Sequence, residues 1–97
     1  MDEQRHIPAH YDISPGHERE ILTAFEKLAA ESRKTPGCVR DILAQDVDNQ
    51  QTHTVIECWA SQEAFKAHTA MPHFVEFQAL AQGKRENMKT DKLKQVS

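Results

Sequence analysis

The sequence predicts an α+β domain of the ferredoxin-like β-α-β-β-α-β class, in which an antiparallel sheet carries both helices on one face. Residues 5–13 alternate between apolar and polar side chains, and residues 17–33 repeat apolar side chains at helical spacing. Two β-rich stretches joined by a polar turn then precede a second helical segment. We expect one domain over residues 1–97, with a core at about 5–82 and a C-terminal strand or arm over 86–97.

The first strand is predicted over residues 5–13, where Ile7, Tyr11 and Ile13 share one face. Pro8 has no amide hydrogen to donate to a neighbouring strand. We therefore expect this strand at an edge of the sheet, or with a bulge or an unpaired amide at Pro8.

The first helix is predicted from His17 to Arg33, and Ser14 is a possible N-cap. Glu18 and Glu20 in the first turn favour the positive end of the helix dipole. The apolar residues of this segment follow i, i+3/i+4 spacing and predict a single core-facing stripe. The stripe consists of Ile21, Leu22, Phe25, Leu28 and Ala29.

A β-hairpin is predicted after a Pro-Gly pair stops the helix, with arms over Cys38–Gln45 and Thr52–Trp59. The simplest register places Trp59 opposite Cys38 and Arg40 opposite Glu57, with these side chains on one face. A slip of one residue would invert the faces, so this pairing depends on an uninterrupted ladder.

The second helical segment is predicted in two pieces. Ser61 is a plausible N-cap for a helix to about Ala70, Pro72 suits the first turn of the next helix, and Gly83 ends it. The last segment, 87–96, carries several lysines, so we expect a weak edge strand or an arm over a partner subunit.

Composition narrows the class of protein. Hydrophobic residues make up 38% and charged residues 28% of the chain, which is typical of a compact domain, and the net charge of −3 argues against a nucleic-acid partner. The sequence predicts neither a signal peptide nor a membrane span, so we expect a cytoplasmic protein whose two cysteines are reduced thiols. Because a chain this short buries a modest core, we expect a homodimer in which a second copy covers the free sheet face.

Several short motifs resemble those of one family in both order and spacing. The resemblance spans about residues 5–82, and the family is that of the antibiotic biosynthesis monooxygenases (ABM), which are small proteins that form dimeric α+β barrels. It implies a ligand cavity between the sheet and the helices of each subunit. The motifs are Pro15-Gly16, Pro36-Gly37-Cys38, Glu57-Cys58-Trp59, His68 and Pro72-His73-Phe74.

The resemblance leaves the reaction open, because one fold supports many functions. Some members oxidise phenolic or polycyclic aromatic substrates with dioxygen and without metal or flavin, some act on quinols, others degrade haem, and others are isomerases or have no known activity. In the haem-degrading branch the iron ligand is a His four residues after the position of Phe74. Here that residue is Gln78, so haem degradation is disfavoured.

Three residues are candidate catalytic groups. Trp59 ends a strand, where its ring could form a wall for an aromatic ligand or simply pack in the core. His68 shares a helical side with Phe65 and could accept a proton from a phenol or hydroquinone, or could fill space between helix and sheet. His73 lies at a helix start, where the dipole favours a neutral imidazole able to act as a base, and its other possible role is a cap or hinge.

Further residues are candidates for substrate binding. Arg40 and Glu57 are expected to form a cross-strand pair that is either structural or orients a ligand. His10 lies on the strand face opposite Ile7, and His53 lies on the third strand. The six candidates are Phe65, Phe74, Glu57, Arg40, His10 and His53.

No metal site and no cofactor are expected, because neither an HExxH nor a 2-His-1-carboxylate spacing is present and no GxGxxG or P-loop motif occurs. The leading hypothesis is a cofactor-independent monooxygenase in which a His deprotonates a small aromatic or quinol-type substrate that then reacts with dioxygen. The alternatives are a non-catalytic small-ligand-binding or stress-associated dimer, and an isomerase of a small polar metabolite that uses His53, Arg40 and Asp41.

Overall fold

A computed structural model describes residues 3–97 of the chain. Met1 and Asp2, which begin the acidic N-terminal segment and the predicted 1–97 domain, lie outside the described residues. Seven elements follow one another in the order β-α-β-β-α-α-β. They are β1 (Arg5–Ile13), α1 (Glu18–Lys34), β2 (Cys38–Gln45), β3 (Thr52–Trp59), α2 (Gln62–Thr69), α3 (Pro72–Ala81) and β4 (Arg85–Thr90).

The four strands form one antiparallel sheet in the order β2-β3-β1-β4, with the helices packed on one face. This arrangement confirms the predicted ferredoxin-like topology, including the second helix divided at Met71 and Pro72. The core lies between the sheet and helices α1 and α3. It consists of Tyr11, Ile13, Ile21, Phe25, Leu28, Ala29, Val55, Phe77 and Ala81.

Pro8 lies in an inner strand, so the expectation of an edge position was wrong. β1 pairs with β3 on one side and with β4 on the other. The alternative expectation, an unpaired amide position at Pro8, does describe the side of β1 that faces the C-terminal segment. On that side, the pairing is interrupted between the Ala9–Thr90 pair and the isolated His6–Leu93 bridge. Pro8 lies in this interruption, where its carbonyl accepts from the amide of Asp91 at 3.0 Å. A missing donor is therefore tolerated inside the sheet.

The start of α1 also differs from the prediction, because Ser14 is not its N-cap. The cap position is occupied by His17, whose side chain makes no capping bond. Ser14 instead accepts from the His17 amide through its own carbonyl at 3.1 Å, and the Glu18 carboxylate accepts from the Gly16 amide at 3.0 Å. A turn thus replaces the side-chain cap.

The hairpin has its predicted arms but contains a β-bulge that changes the pairing. Cys38 lies opposite Trp59 as expected, and the register then shifts before Arg40. Arg40 consequently lies opposite Cys58 and is exposed, while Asp41 lies opposite Glu57 and is buried. The predicted Arg40–Glu57 pair was therefore wrong, because one extra residue in a bulged strand exchanges the faces of all residues after it.

The connection from β3 to α2 is fixed by the predicted cap and by a close backbone approach. The Ser61 hydroxyl accepts from the Ala64 amide at 3.1 Å, which confirms the N-cap. Gly37 has a φ of +91°, and its carbonyl accepts from the Ala60 amide at 2.7 Å. A Cβ atom at Gly37 would lie 2.6 Å from the Ala64 Cβ, so this turn admits only glycine without a shift of α2.

The sheet face turned away from the helices is partly apolar. Ile42 and Ile56 are directly paired across β2 and β3 and remain 43% and 38% exposed. Val39 on the same part of β2 is 51% exposed. This uncovered surface, defined by Val39, Ile42 and Ile56, is called the open face below.

Candidate active site

A buried polar centre lies where β3 meets α2. Trp59 ends β3, and its indole Nε1–H donates to Oε1 of Glu57 at 2.9 Å. His68 on α2 places its ring on the Trp59 ring, with centroids 4.4 Å apart, and its Nε2 lies 3.6 Å from the same Glu57 oxygen. Trp59 is 0% and His68 1% exposed. Three candidates from one strand and one helix thus meet in one centre.

Burial sets the protonation states in this centre. Loss of solvent raises the pKa of Glu57 to about 7, with Asp41 adding to the rise and the Trp59 hydrogen bond opposing it. Burial, assisted by the charge of His73, lowers the pKa of His68 to about 4. Between about pH 4 and 7 the Glu57 carboxyl is therefore protonated and the His68 imidazole neutral, so their contact is not an ion pair.

Asp41 adds a second buried acid to the centre. It is 2% exposed and lies directly opposite Glu57 across β2 and β3. Burial raises the pKa of its carboxyl, against the opposing effects of Ser32, Arg33 and His73. Its Oδ1 atom is buried without a hydrogen-bond partner, as are Ser32 Oγ and His68 Nδ1. The centre therefore holds several polar atoms free to bind a proton or a polar ligand group.

Aromatic rings enclose His68 on its other sides. Phe74 meets the His68 ring edge-to-face at 5.0 Å between centroids, and the rings of His73 and Phe65 lie at 5.8 Å and 6.5 Å. Nε2 of His73 is buried and has no hydrogen-bond partner. Because His73 follows the break between α2 and α3, its ring reaches His68 from a second helix.

A groove of about 680 Å³ runs between α1 and α3 and reaches the centre at His73. This volume lies within the range of small-molecule sites. Its apolar part is formed by Ala24, Leu28, Phe77 and Leu80, and its charged or polar rim includes Arg19, Glu20, Thr23, Lys27 and Glu76. A smaller cavity of about 260 Å³ reaches Asp41 from the β2 edge.

Three other candidates lie away from the centre. Arg40 points to the side of the sheet opposite the helices because of the bulge. His10 is exposed, and its Nδ1 lies 2.9 Å from the Thr54 hydroxyl. His53 is buried near Tyr11, with ring centroids 6.2 Å apart, at the other end of β3 from Trp59. His53 precedes Trp59 by six positions along the strand, which corresponds to roughly 20 Å.

A second polar cluster, around Arg85, was not predicted from the sequence. The Arg85 guanidinium lies over the rings of Tyr11 and Phe77, at 5.0 Å and 5.3 Å from their centroids, and donates to Gln78 Oε1 at 2.7 Å. A lone arginine at the start of a weak edge strand gave no signal of an inward-facing side chain. Asp41 was considered only for the isomerase alternative, and its place beside Glu57 was not predicted because its burial depends on the bulge.

A sequence profile of the family described as antibiotic biosynthesis monooxygenase matches residues 6–80. The chain belongs to this family. This ABM-family chain is 28% identical over 78 residues to the protein named "Putative monooxygenase YcnE" of Bacillus subtilis (strain 168), and the match covers 80% of each chain.

Solved structures share the fold of this ABM-family chain. The crystal structure of PA3566 from Pseudomonas aeruginosa matches with a TM-score of 0.91 and 27% identity, covering 100% of this chain and 98% of that one. A structure named "Putative antibiotic biosynthesis monooxygenase from Nitrosomonas europaea" matches with a TM-score of 0.92 over 99% of this chain and 93% of that one. Its 13% identity makes the second likeness one of fold alone.

Two further observations describe this ABM-family chain. Within residues 3–97, no three His, Cys, Asp or Glu side chains are grouped so that they could hold a metal ion. In the same part of the chain, no helix has the length and apolar character needed to cross a membrane.

Proposed function

We propose that this protein is a cofactor-independent monooxygenase that oxidises a small aromatic or quinol-type compound with dioxygen. The substrate occupies the groove between α1 and α3 and presents a hydroxyl group to His73. The observation that carries the proposal is the buried centre behind His73, in which a neutral imidazole and a carboxyl with a pKa of about 7 lie 3.6 Å apart. A group with a pKa near the working pH is suited to take up and return a proton.

The groove supplies the apolar part of the proposed site. Its lining from Ala24, Leu28 and Phe77 suits an aromatic ring, and its volume of about 680 Å³ holds a compound of one to a few rings. The rim carries both signs of charge, with Arg19 and Lys27 beside Glu20 and Glu76, and so offers polar groups to a substrate hydroxyl. Family membership adds support, because ABM proteins include oxygenases of this type.

The proposed chemistry is balanced without an added reductant. A hydroquinol and dioxygen give a hydroxyquinone and water, so the substrate supplies all four electrons. At a pH above the Glu57 pKa of about 7, where the carboxyl is ionised, the hydroxyl proton passes to His73 and then, through His68, to Glu57. The resulting anion forms a C–O bond with dioxygen at a ring carbon. The O–O bond then breaks as that carbon loses its hydrogen, and the leaving oxygen takes this hydrogen and the returned proton and departs as water. The aromatic rings around His68 exclude water from this path.

A second candidate function is favoured by the burial of Trp59. With 0% exposure, its ring touches no ligand in this conformation, as expected if the centre were structural and the groove merely bound a small molecule. Binding without turnover would identify this alternative. Nothing in the described residues favours the isomerase, because His53 and Arg40 lie far from Asp41 or on the opposite sheet face.

The open face supports a homodimer as part of the proposal. Ile42 and Ile56 are exposed neighbours on a sheet, and a second copy would remove both from water. We therefore keep the homodimer as part of the proposal. The cytoplasm is the proposed compartment, since Cys38 and Cys58 are free thiols on adjacent strands.

The test is oxygen consumption by metal-stripped protein with a panel of hydroquinones and polycyclic phenols. We expect consumption above autoxidation, with a rate constant that falls at least about tenfold in His73→Gln and His68→Gln. His53→Gln is the matched control, because it removes another buried imidazole from the same sheet at roughly 20 Å distance. Folded variants that all retain full activity, or wild type that consumes no oxygen, would refute the proposed function.

A further inference from the structure

Asp41 and Glu57 form an unusual pair in the interior of the protein. They are directly opposite each other across β2 and β3, both face the helices, and their side chains are 2% and 13% exposed. Directly opposed residues in an antiparallel pair have Cβ atoms about 4.5–5.5 Å apart. Like charges at this distance repel each other, and in a buried site they are only weakly screened.

The surrounding groups do not neutralise two negative charges. On α1, the Ser32 hydroxyl and the Arg33 charge lower the pKa of Asp41 but do not outweigh its burial. Arg33 donates through Nε and Nη2 to the main-chain carbonyl of Asp41, at 3.2 Å and 2.8 Å, rather than to its carboxyl. On α2, His68 is neutral at physiological pH. The remaining titratable neighbours are His73 on α3 and the Cys38 thiol on β2, whose pKa is raised by burial and by both acids.

Unpartnered atoms also indicate that a hydrogen bond is available within this group. Asp41 Oδ1, Ser32 Oγ and His68 Nδ1 are all buried without partners, and the Trp59 indole already occupies Glu57 Oε1. A proton held by one of the two carboxyls provides a donor that fully ionised acids would lack. It also removes the repulsion between them.

We propose that Asp41 and Glu57 together bind a single proton, and that Asp41 is the positioning residue that retains this proton on Glu57 beside His68. The pair loses its last proton only when Glu57 ionises, so Asp41 determines the pH at which the centre changes from proton donor to proton acceptor. This role in turnover rests on the proposed function. The sharing of the proton does not, because it requires no substrate.

The test is an NMR titration of the side-chain carboxyl carbons in protein labelled with ¹³C at Asp and Glu. In wild type, the signals of both acids should show two steps, because each carbon senses both ionisations of a coupled pair. In Asp41→Asn, the Glu57 midpoint should move down by about one pH unit, because Glu57 no longer ionises beside a negative charge. In Glu57→Gln, the Asp41 midpoint should stay in place, because Asp41 already ionises beside a protonated Glu57. Asp46→Asn, in the exposed turn after β2, is the matched control and should move neither.

Independent single-step curves for the two acids in wild type would overturn the proposal even if both variants failed to fold. An unchanged Glu57 midpoint in folded Asp41→Asn would do the same. Oxygen consumption provides a separate result: the pH at which the rate rises should fall in Asp41→Asn, whereas a purely structural role would lower the rate at every pH. A coupled titration in a protein without oxygenase activity would refute the proposed function and leave the pair established.

Discussion

Glu57 and His68 should change the free energy of unfolding with pH in opposite directions. In wild type the two pH dependences should therefore largely cancel. The pKa of Glu57 rises from 4.5 to about 7 on folding, so the native state binds more protons than the unfolded state in that window. Its contribution to the free energy of unfolding is therefore lost as pH rises from about 4.5 to 7. The pKa of His68 falls from 6.5 to about 4, so its contribution is lost as pH falls through that window.

Each change of about 2.5 pH units corresponds to about 3 kcal/mol. The two side chains are 13% and 1% exposed, so screening by solvent is small. Over the shared range, about pH 4.5 to 6.5, the two slopes cancel. Neither pKa has the other residue among its causes, so removal of one group should uncover the slope of the other.

The perturbations are Glu57→Gln and His68→Gln, measured by urea unfolding at a series of pH values. In Glu57→Gln, the free energy of unfolding should rise by about 3 kcal/mol as pH increases from 4 to 6.5. In His68→Gln, it should fall by about 3 kcal/mol between pH 4.5 and 7. Glu26→Gln, on the exposed side of α1, is the control and should follow wild type.

The reasoning would be refuted by curves for the two variants that run parallel to wild type across this range. Slopes of the same sign in both variants would also contradict it. Parallel curves would mean that the two groups titrate in the native state as they do in the unfolded chain, and slopes of the same sign would mean that another group sets the pH dependence.

Three further predictions concern the fold and the assembly. Gly37→Ala should destabilise the protein by about 1–3 kcal/mol more than Gly16→Ala. Both positions have positive φ, but only at Gly37 would a Cβ lie 2.6 Å from the Ala64 Cβ. Thermal unfolding of both variants tests this difference, and equal losses of stability would contradict the predicted clash. Ser61→Ala should cost about 1 kcal/mol through loss of the α2 cap, and an unchanged urea midpoint would show that the capping bond is not needed. Ile56→Lys should convert the proposed dimer to monomer in analytical ultracentrifugation, and a dimer that persists would place the subunit interface elsewhere.

The fold could be predicted from the sequence because its signals are local. The strand boundaries of β2 and β3 depend on β-rich runs flanked by turn residues, and the cap at Ser61 depends on one side chain and one amide. Such features require no knowledge of distant contacts. The helix break at Pro72 is also a local signal, since proline restricts the backbone of the preceding residue wherever it occurs.

The candidate site could be predicted only in part, because it depends on register. Trp59, His68 and His73 were identified by residue type, and the structure brings them together. Arg40 and Asp41 are adjacent in sequence, and a single bulged residue decided which of them would face Glu57. No composition or periodicity distinguishes a strand with a bulge from one without, so the sequence indicated an ion pair where the structure has two acids.

The break between α2 and α3 determines how the groove and the buried centre are positioned relative to each other. Residues five positions apart in one continuous helix point about 140° away from each other. The break at Met71 and Pro72 instead brings the His68 and His73 rings to 5.8 Å. Their separation is thus set by the angle between two short helices, and α3 also forms one wall of the groove. A molecule that displaced this wall of the groove outward would therefore also increase the separation of the two imidazole rings.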